Sequence, residues 1–205
     1  MRLIGMLDSP YVRRVAISLN FLGLRYAHEP VSVFRHYDHF ATINPVVKAP
    51  SLVTDTGIVL MDSTLILDHV ERLADPKRSL VPPDIATHAR HQRLVGLALA
   101  ACEKTVQIVY EHQLRPEEKR HQPWLDRVRA QLLAAYGEIE REIGPGDGWL
   151  VGERPMQADI TTAVALTFTR NLVPEIVPAD AFPTVARYAA RAEALPEFRA
   201  SPFDG

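Results

Sequence analysis

Hydrophobic and polar positions follow two rhythms along this chain. Up to about residue 73 the apolar positions come in short runs separated by turn signals; from residue 87 onward they recur only at helical spacing. Residues 2–7 are a short apolar run of the kind that makes a buried strand. Val12, Val15, Ala16, Leu19 and Leu22 then repeat at helical spacing, with Pro10 suited to the first turn and Gly23 a natural stop. Residues 26–33 read as a second strand, and strand–helix–strand predicts a parallel pair joined by a crossover. Residues 35–50 carry turn and polar signals. After Pro50, two short apolar segments at 51–53 and 58–60 flank Thr54, Asp55, Thr56 and Gly57, which predicts an antiparallel hairpin. Ser63 is placed to cap a helix in which Ile66, His69, Val70 and Leu73 share a face.

Prolines at 76, 82 and 83 mark a linker, and the chain changes character there. Residues 87–114 form a long amphipathic pattern. A second helix is expected over 124–143, stopped by Gly144, Pro145 and Gly146, a third over 158–172 and a fourth over 184–195. The third is apolar nearly all round, so it belongs at the centre of its domain. The expected architecture is a βαβ-ββα unit of the thioredoxin-like α/β class over residues 1–78, followed by an all-helical domain over 85–205.

Composition narrows the function classes. The 205 residues are 47% hydrophobic and 23% charged, an ordinary globular balance. The net charge of −2 and the absence of a basic stripe argue against nucleic acid as a partner. The longest apolar runs fall well short of the ~20 residues that span a bilayer, so no membrane role is expected. The first residues lack a signal-peptide pattern, and the single cysteine, Cys102, fits a reducing compartment. A cytoplasmic protein is the expectation.

Three short segments carry candidate chemistry. Ser9 precedes Pro10 at a helix start, where free N–H groups and the helix dipole favour an anion. A thiol placed there would gain ~1.5–3 kcal/mol for its thiolate from a hydroxyl hydrogen bond. The helix terminus adds ~0.3–1 kcal/mol. Lowering a thiol pKa by about two units takes ~2.7 kcal/mol, so the two effects together suffice. The plain alternative is that Ser9 is only an N-cap. Tyr11 is the rival hydroxyl, with packing or shielding of a thiol pocket as its other role. Pro50 opens a strand, where a missing N–H costs least, and in thioredoxin-like folds the proline at this place is cis; the alternative is a trans turn proline. Next to it, the N–H and C=O of Ala49 are positioned to pair with a peptide ligand as one more strand. Lys48 is free to meet a ligand carboxylate or to lie in solvent. Asp62 and Ser63 open a second helix: the serine hydroxyl and N–H suit a carboxylate and the acid suits an ammonium, the two groups a γ-glutamyl head carries on one carbon. A simple N-cap is again the alternative.

Other segments carry less. His36/His39 and His88/His91 are spaced i, i+3 without a further ligand at metal-site spacing, so no metal is expected. Cys102 lies among apolar helix residues and reads as a small buried hydrophobe.

The order and spacing of Asp8-Ser9-Pro10-Tyr11, of Asn44-Pro45-Val46-Val47-Lys48-Ala49-Pro50 and of Asp62-Ser63 resemble the glutathione transferase family, of the bacterial-like kind with serine at the catalytic position. The segment Gly152 to Ile160 is similar to the one before the central helix of that family's second domain, although Met156 stands where a Ser or Thr usually caps and only Asp159 of the capping pair is present. The resemblance implies a detoxification enzyme with glutathione as co-substrate and a small hydrophobic electrophile as second substrate. It implies Ser9 as the group stabilising the thiolate, and Phe34, His36, Lys48, Ala49, Pro50, Asp62 and Ser63 along the glutathione. Tyr11, Thr105, Gln107 and Tyr110 are implied as walls for the electrophile between the domains. It further implies a homodimer. A glutathione-dependent isomerase or dehalogenase on the same scaffold, and a non-catalytic glutathione-binding protein, are the alternatives.

Overall fold

Leu3 and Ile4 are fully buried at the centre of a small sheet, and the first part of the chain is organised around them. The computed structural model describes residues 1–144, 146 and 148–203. Its strands are β1 Arg2–Ile4, β2 Ala27–Glu29, β3 Ser51–Val53 and β4 Val59–Met61, in the order β2-β1-β3-β4. β1 runs parallel to β2, with Leu3 opposite His28, and antiparallel to β3, with Leu3 opposite Leu52. β3 and β4 form the expected hairpin, closed by Thr54 N–H to Ile58 C=O at 2.9 Å and with Gly57 at φ 83°. β1 and β2 are shorter than the hydrophobic runs suggest. Gly5, at φ 136°, turns the chain out of β1, and Pro30, which has no N–H to offer a ladder, follows β2. A side chain at Gly5 would have its Cβ 2.6 Å from Val12 Cγ2, so the turn brings backbone against the first helix.

That helix, α1 (Pro10–Leu22), begins and ends where the sequence places it. Ser9 is its N-cap, Pro10 occupies the first turn, and Gly23 at φ 71° donates to Asn20 and Leu19 carbonyls. A short helix, α2 (Tyr37–Ile43), occupies the segment read as turns. It buries only Phe40, against Ile4 and Val31, and one apolar contact in seven residues leaves no period to detect. α3 (Ser63–Glu71) buries Ser63, Ile66, Leu67 and Val70. Leu73 lies past its end and is exposed, so it does not share the buried face as expected.

The remaining helices are α4 (Ile85–Gln113), α5 (Gln122–Ile143), α6 (Gln157–Leu172), α7 (Pro183–Glu193) and α8 (Pro196–Arg199). α4 starts earlier than its hydrophobic pattern because Asp84 caps it, accepting the Thr87 N–H at 2.9 Å. Of the expected stop after α5, Gly144 and Gly146 are among the described residues and Pro145 lies outside them. α6 is central: twelve of its residues are buried, and it packs on α4 and α7. Its start is fixed by Asp159, fully buried, which accepts N–H groups of Leu150 at 2.9 Å and Met156 at 2.8 Å and the hydroxyl of Tyr188. The acid half of the capping pair is therefore in place, and Met156 contributes its backbone.

Compact packing divides the chain near residue 80, into Met1–Leu80 and Val81–Glu193. The second unit stops short of the 205 expected for the helical domain: from Ala194 onward the described residues join the first unit. The reason lies in α8. Phe198 is fully buried with its ring 6.2 Å from that of Phe21; Arg13 Nε donates to the Ser201 carbonyl at 2.9 Å and Asn20 Nδ2 to the Glu197 carbonyl at 3.0 Å.

Candidate functional site

Two helix starts and one loop of the first unit carry the groups singled out in the sequence. At the start of α1, Ser9 has extended backbone (φ −72°, ψ 124°) and its Oγ accepts the Val12 N–H at 3.4 Å. That bond is long, and among the described residues the Ser9 hydroxyl proton has no acceptor. The side chain is half-buried. It caps the helix weakly and keeps its donor for something else. Tyr11, also half-buried, sits in the first turn.

The loop before β3 is held from below. Asn44, 4% exposed, donates to Ser51 Oγ at 2.9 Å and accepts the Val46 N–H at 3.0 Å, while Ser51 Oγ donates to the Lys48 carbonyl at 2.8 Å. These bonds present Ala49 with neither its N–H nor its C=O hydrogen-bonded among the described residues. The Ala49–Pro50 bond is cis, as the sequence reading has it. The sequence reading gave the side chains of Asn44 and Ser51 no role of their own. An Asn before a proline reads as a turn residue, and only the fold shows that its side chain organises the loop.

At the start of α3, Asp62 is the N-cap, with Oδ1 accepting the Thr64 N–H at 2.9 Å and Oδ2 3.8 Å from Lys48 Nζ. Its backbone has φ 71°, a region that costs a non-glycine residue about 1–3 kcal/mol and is more tolerable to Asp than to most. Such a cost is sustained where the surrounding structure fixes a functional geometry. Ser63 follows at 5% exposure. Its Oγ accepts from Arg14 Nη1 at 3.1 Å, and among the described residues neither its N–H nor its hydroxyl proton is donated to anything. Arg14 is a buried neighbour of Ser63 to which the sequence reading gave no role. Its signal was present in Arg13-Arg14, two charges inside a helix that is otherwise almost wholly apolar around them.

The other expected residues divide. Phe34 and His36 are exposed; the His36 ring accepts the Ser32 N–H through Nδ1 at 3.2 Å, which ties it to its own turn. On α4, Gln107 is half-buried between Glu103 (2.8 Å) and Lys104 (3.3 Å), and Tyr110 is exposed. Thr105 does not fit its expected place as a substrate wall. It is fully buried within the helical unit, its hydroxyl bonded to the Ala101 carbonyl at 2.9 Å and to Thr169 Oγ1 at 2.8 Å. Tyr136 completes that cluster, its hydroxyl 2.7 Å from Thr169, and burial pushes its phenol pKa up. Cys102 is buried, as expected. Among the described residues no three His, Cys, Asp or Glu side chains gather as metal ligands would, and no helix is long and apolar enough to cross a membrane.

The arrangement is a set of unspent donors, at two helix starts and a loop edge, beside one acid. It suits a ligand that is part peptide and part amino acid, with an anion at each helix start. Comparison with known proteins agrees. Residues 3–78 match the family model for the glutathione S-transferase N-terminal domain, and residues 122–191 match that for the C-terminal domain. The maleylacetoacetate isomerase of Pseudomonas aeruginosa is 29% identical over 201 residues, covering 91% of this chain and 88% of that protein. A glutathione S-transferase from Methylobacterium radiotolerans, solved in complex with glutathione sulfonate, is 31% identical and superposes with a TM-score of 0.91 over 100% of this chain and 95% of its own. A family member from Pseudomonas fluorescens with bound S-(propanoic acid)-glutathione is 28% identical, with a TM-score of 0.84 over 98% and 97% of the two chains. With both domain models matched in order and that likeness running through the whole length, the chain belongs to the glutathione transferase family.

Proposed function

We propose that the protein is a glutathione transferase that binds glutathione along its α/β unit and uses Ser9 to stabilise the thiolate for attack on a small hydrophobic electrophile. The observation that carries the reading is the unspent hydrogen-bonding capacity of Ser9, Ala49 and Ser63, three residues of one unit whose groups have no other use among the described residues. The γ-glutamyl carboxylate takes the N–H and hydroxyl of Ser63, and its ammonium takes Asp62. Lys48, released from Asp62, turns with Phe34 and His36 to the glycyl end. The cysteinyl backbone pairs with Ala49 beside Pro50 as an added strand. That leaves the sulfur at the start of α1, where Ser9 donates to it. The thiol proton goes to solvent, and the sulfur lone pair forms the new bond as the leaving group departs. Within the α/β unit Tyr11, in the first turn of α1, remains a candidate for contact with the electrophile. Glutathione is the only co-substrate this scheme requires, and no metal enters it. Retention on immobilised glutathione with elution by free glutathione tests the premise, and turnover of model electrophiles tests the reaction. A folded protein that flows through the column sinks the proposal.

The likeness to an isomerase over 91% of the chain favours a second reading on the same thiolate. Reversible addition to a conjugated double bond, rotation about the resulting single bond and expulsion of the thiolate would return glutathione unchanged. A transferase consumes glutathione in proportion to product, and an isomerase does not. Measuring glutathione against product therefore separates the two.

A further inference from the structure

Arg14 heads the large side chains that are fully buried among the described residues, at 1% exposure. It lies in the second turn of α1, yet its Nη1 reaches α3, 3.1 Å from Ser63 Oγ and 3.3 Å from Thr64 Oγ1. We propose that Arg14 is a positioning residue that sets the polarity of Ser63 for the carboxylate of the γ-glutamyl group. This rests on the glutathione-binding reading above.

A serine hydroxyl has one proton and two acceptor lone pairs, and its rotor settles according to its neighbours. A guanidinium is always protonated and only donates. With a guanidinium N–H on the Ser63 oxygen, the hydroxyl proton is repelled from that side and turned away from Arg14. Ser63 then offers a polarised O–H together with the N–H at the start of α3, two donors, with one of its two lone pairs already taken by Arg14. That pair suits a carboxylate better than the neutral amide or alcohol acceptor that could stand in its place. The neighbouring Thr64 hydroxyl, bonded to the same Nη1, fixes the guanidinium so that it stays beneath Ser63. Hydrogen bonds to ionised groups are about twice as strong as neutral ones, so this polarity acts on affinity directly.

Binding calorimetry on wild type, Arg14→Gln and Arg14→Lys tests it, each with and without Ser63→Ala. Two ligands are compared: glutathione, and γ-aminobutyryl-cysteinyl-glycine, which lacks only the α-carboxylate. Arg14→Gln keeps N–H donors and loses the charge. It is expected to weaken glutathione about tenfold, equivalent to about 1.4 kcal/mol, and the analogue by less than about twofold. Arg14→Lys keeps a buried cation and should recover part of that loss. In the Ser63→Ala background Arg14→Gln should change glutathione affinity by less than about twofold, because the group it acts through is gone. A general packing role predicts equal losses for both ligands and an undiminished loss in Ser63→Ala; either result overturns the inference. If the Arg14 variants do not fold, a crystal structure of wild type with glutathione decides. The expected result is Ser63 Oγ between Arg14 Nη1 and the α-carboxylate; a carboxylate bonded to Arg14 itself, or Oγ turned away, overturns it. Folded wild type that fails to bind glutathione ends both readings, whereas normal binding indifferent to Arg14 ends only this one.

Discussion

Replacing Ser9 by Ala separates the two effects that act at the start of α1. The Ser9 cap bond to Val12 is 3.4 Å long, so its loss belongs at the low end of the cap range, about 0.5 kcal/mol, and the fold should survive with a small drop in Tm. The bond from Ser9 to a bound thiolate is a different matter. A hydrogen bond to a charged group contributes about 1.5–3 kcal/mol, which at about 1.36 kcal/mol per unit is one to two pKa units. The helix terminus is made of backbone, so its ~0.3–1 kcal/mol remains in Ser9→Ala. The thiol pKa of bound glutathione should therefore rise by about one to two units in Ser9→Ala and still lie up to about 0.7 unit below the free thiol. Tyr11→Phe should move it much less, because the Tyr11 hydroxyl is carried away from the N–H groups that converge at the helix start. The assay is the ultraviolet absorbance of bound thiolate, titrated with each variant saturated by glutathione. A larger rise in Tyr11→Phe reverses the two roles. No rise in either variant means that backbone donors do the work alone, and the assignment of Ser9 fails.

Three further outcomes are expected. Ser63→Ala should weaken glutathione about 10- to 150-fold by calorimetry, the loss of one charge-assisted hydrogen bond, and unchanged affinity refutes its place at the γ-glutamyl group. The carboxyl of Asp159 is pushed up to about 6 by burial, against the pull of the Leu150 and Met156 N–H groups and the nearby Arg191. The folded state then holds this proton more tightly than the unfolded chain, whose carboxyl titrates near 3.8, so the group costs nothing below about pH 4 and destabilises increasingly up to about pH 6, by roughly 3 kcal/mol. Thermal melts of Asp159→Asn should lack the part of the wild-type decline that falls between pH 4 and 6, and parallel profiles refute the shift. Light scattering at micromolar concentration should give twice the chain mass of 22.9 kDa, and the monomer mass refutes the homodimer that the family resemblance implies.

What the sequence showed and what it hid follow from the range of the interactions concerned. α1 was legible from Ser9 to Gly23 because capping, proline at the first turn and a left-handed glycine stop are all local. The β3–β4 hairpin was legible for the same reason. α2 and α8 were hidden because each is short and buries one aromatic ring, Phe40 or Phe198, in a place fixed by distant parts of the chain. Thr105 was misplaced because helical spacing says which residues share a face and not what that face meets; here it meets the Thr169 hydroxyl of α6. The unused donors of Ser9, Ala49 and Ser63 could be anticipated because helix starts and strand edges expose donors by construction. Arg14 was missed because its partner lies 49 residues away, and only packing of α1 on α3 brings it within reach.

On the proposed reading, that packing also separates binding from chemistry within one small unit. Ser9 and Ser63 both stand at helix starts, but their surroundings differ in kind. Ser9 is half-buried, with only a long cap bond on its oxygen among the described residues. Ser63 is buried and its oxygen is held by a guanidinium. A rigid donor fixed by a buried cation is suited to a group whose charge never changes during the reaction, such as a carboxylate. A less constrained hydroxyl is suited to sulfur, whose charge disappears as the new bond forms, since its charge-assisted hydrogen bond weakens with that charge. Variants at Ser63 and Arg14 should therefore raise Kd for glutathione with little change in the thiol pKa once bound. Variants at Ser9 should raise that pKa with little change in Kd measured below it, where the thiol is protonated. If both signatures appear at both positions, the two helix starts act as one electrostatic unit and the division of labour argued here is wrong.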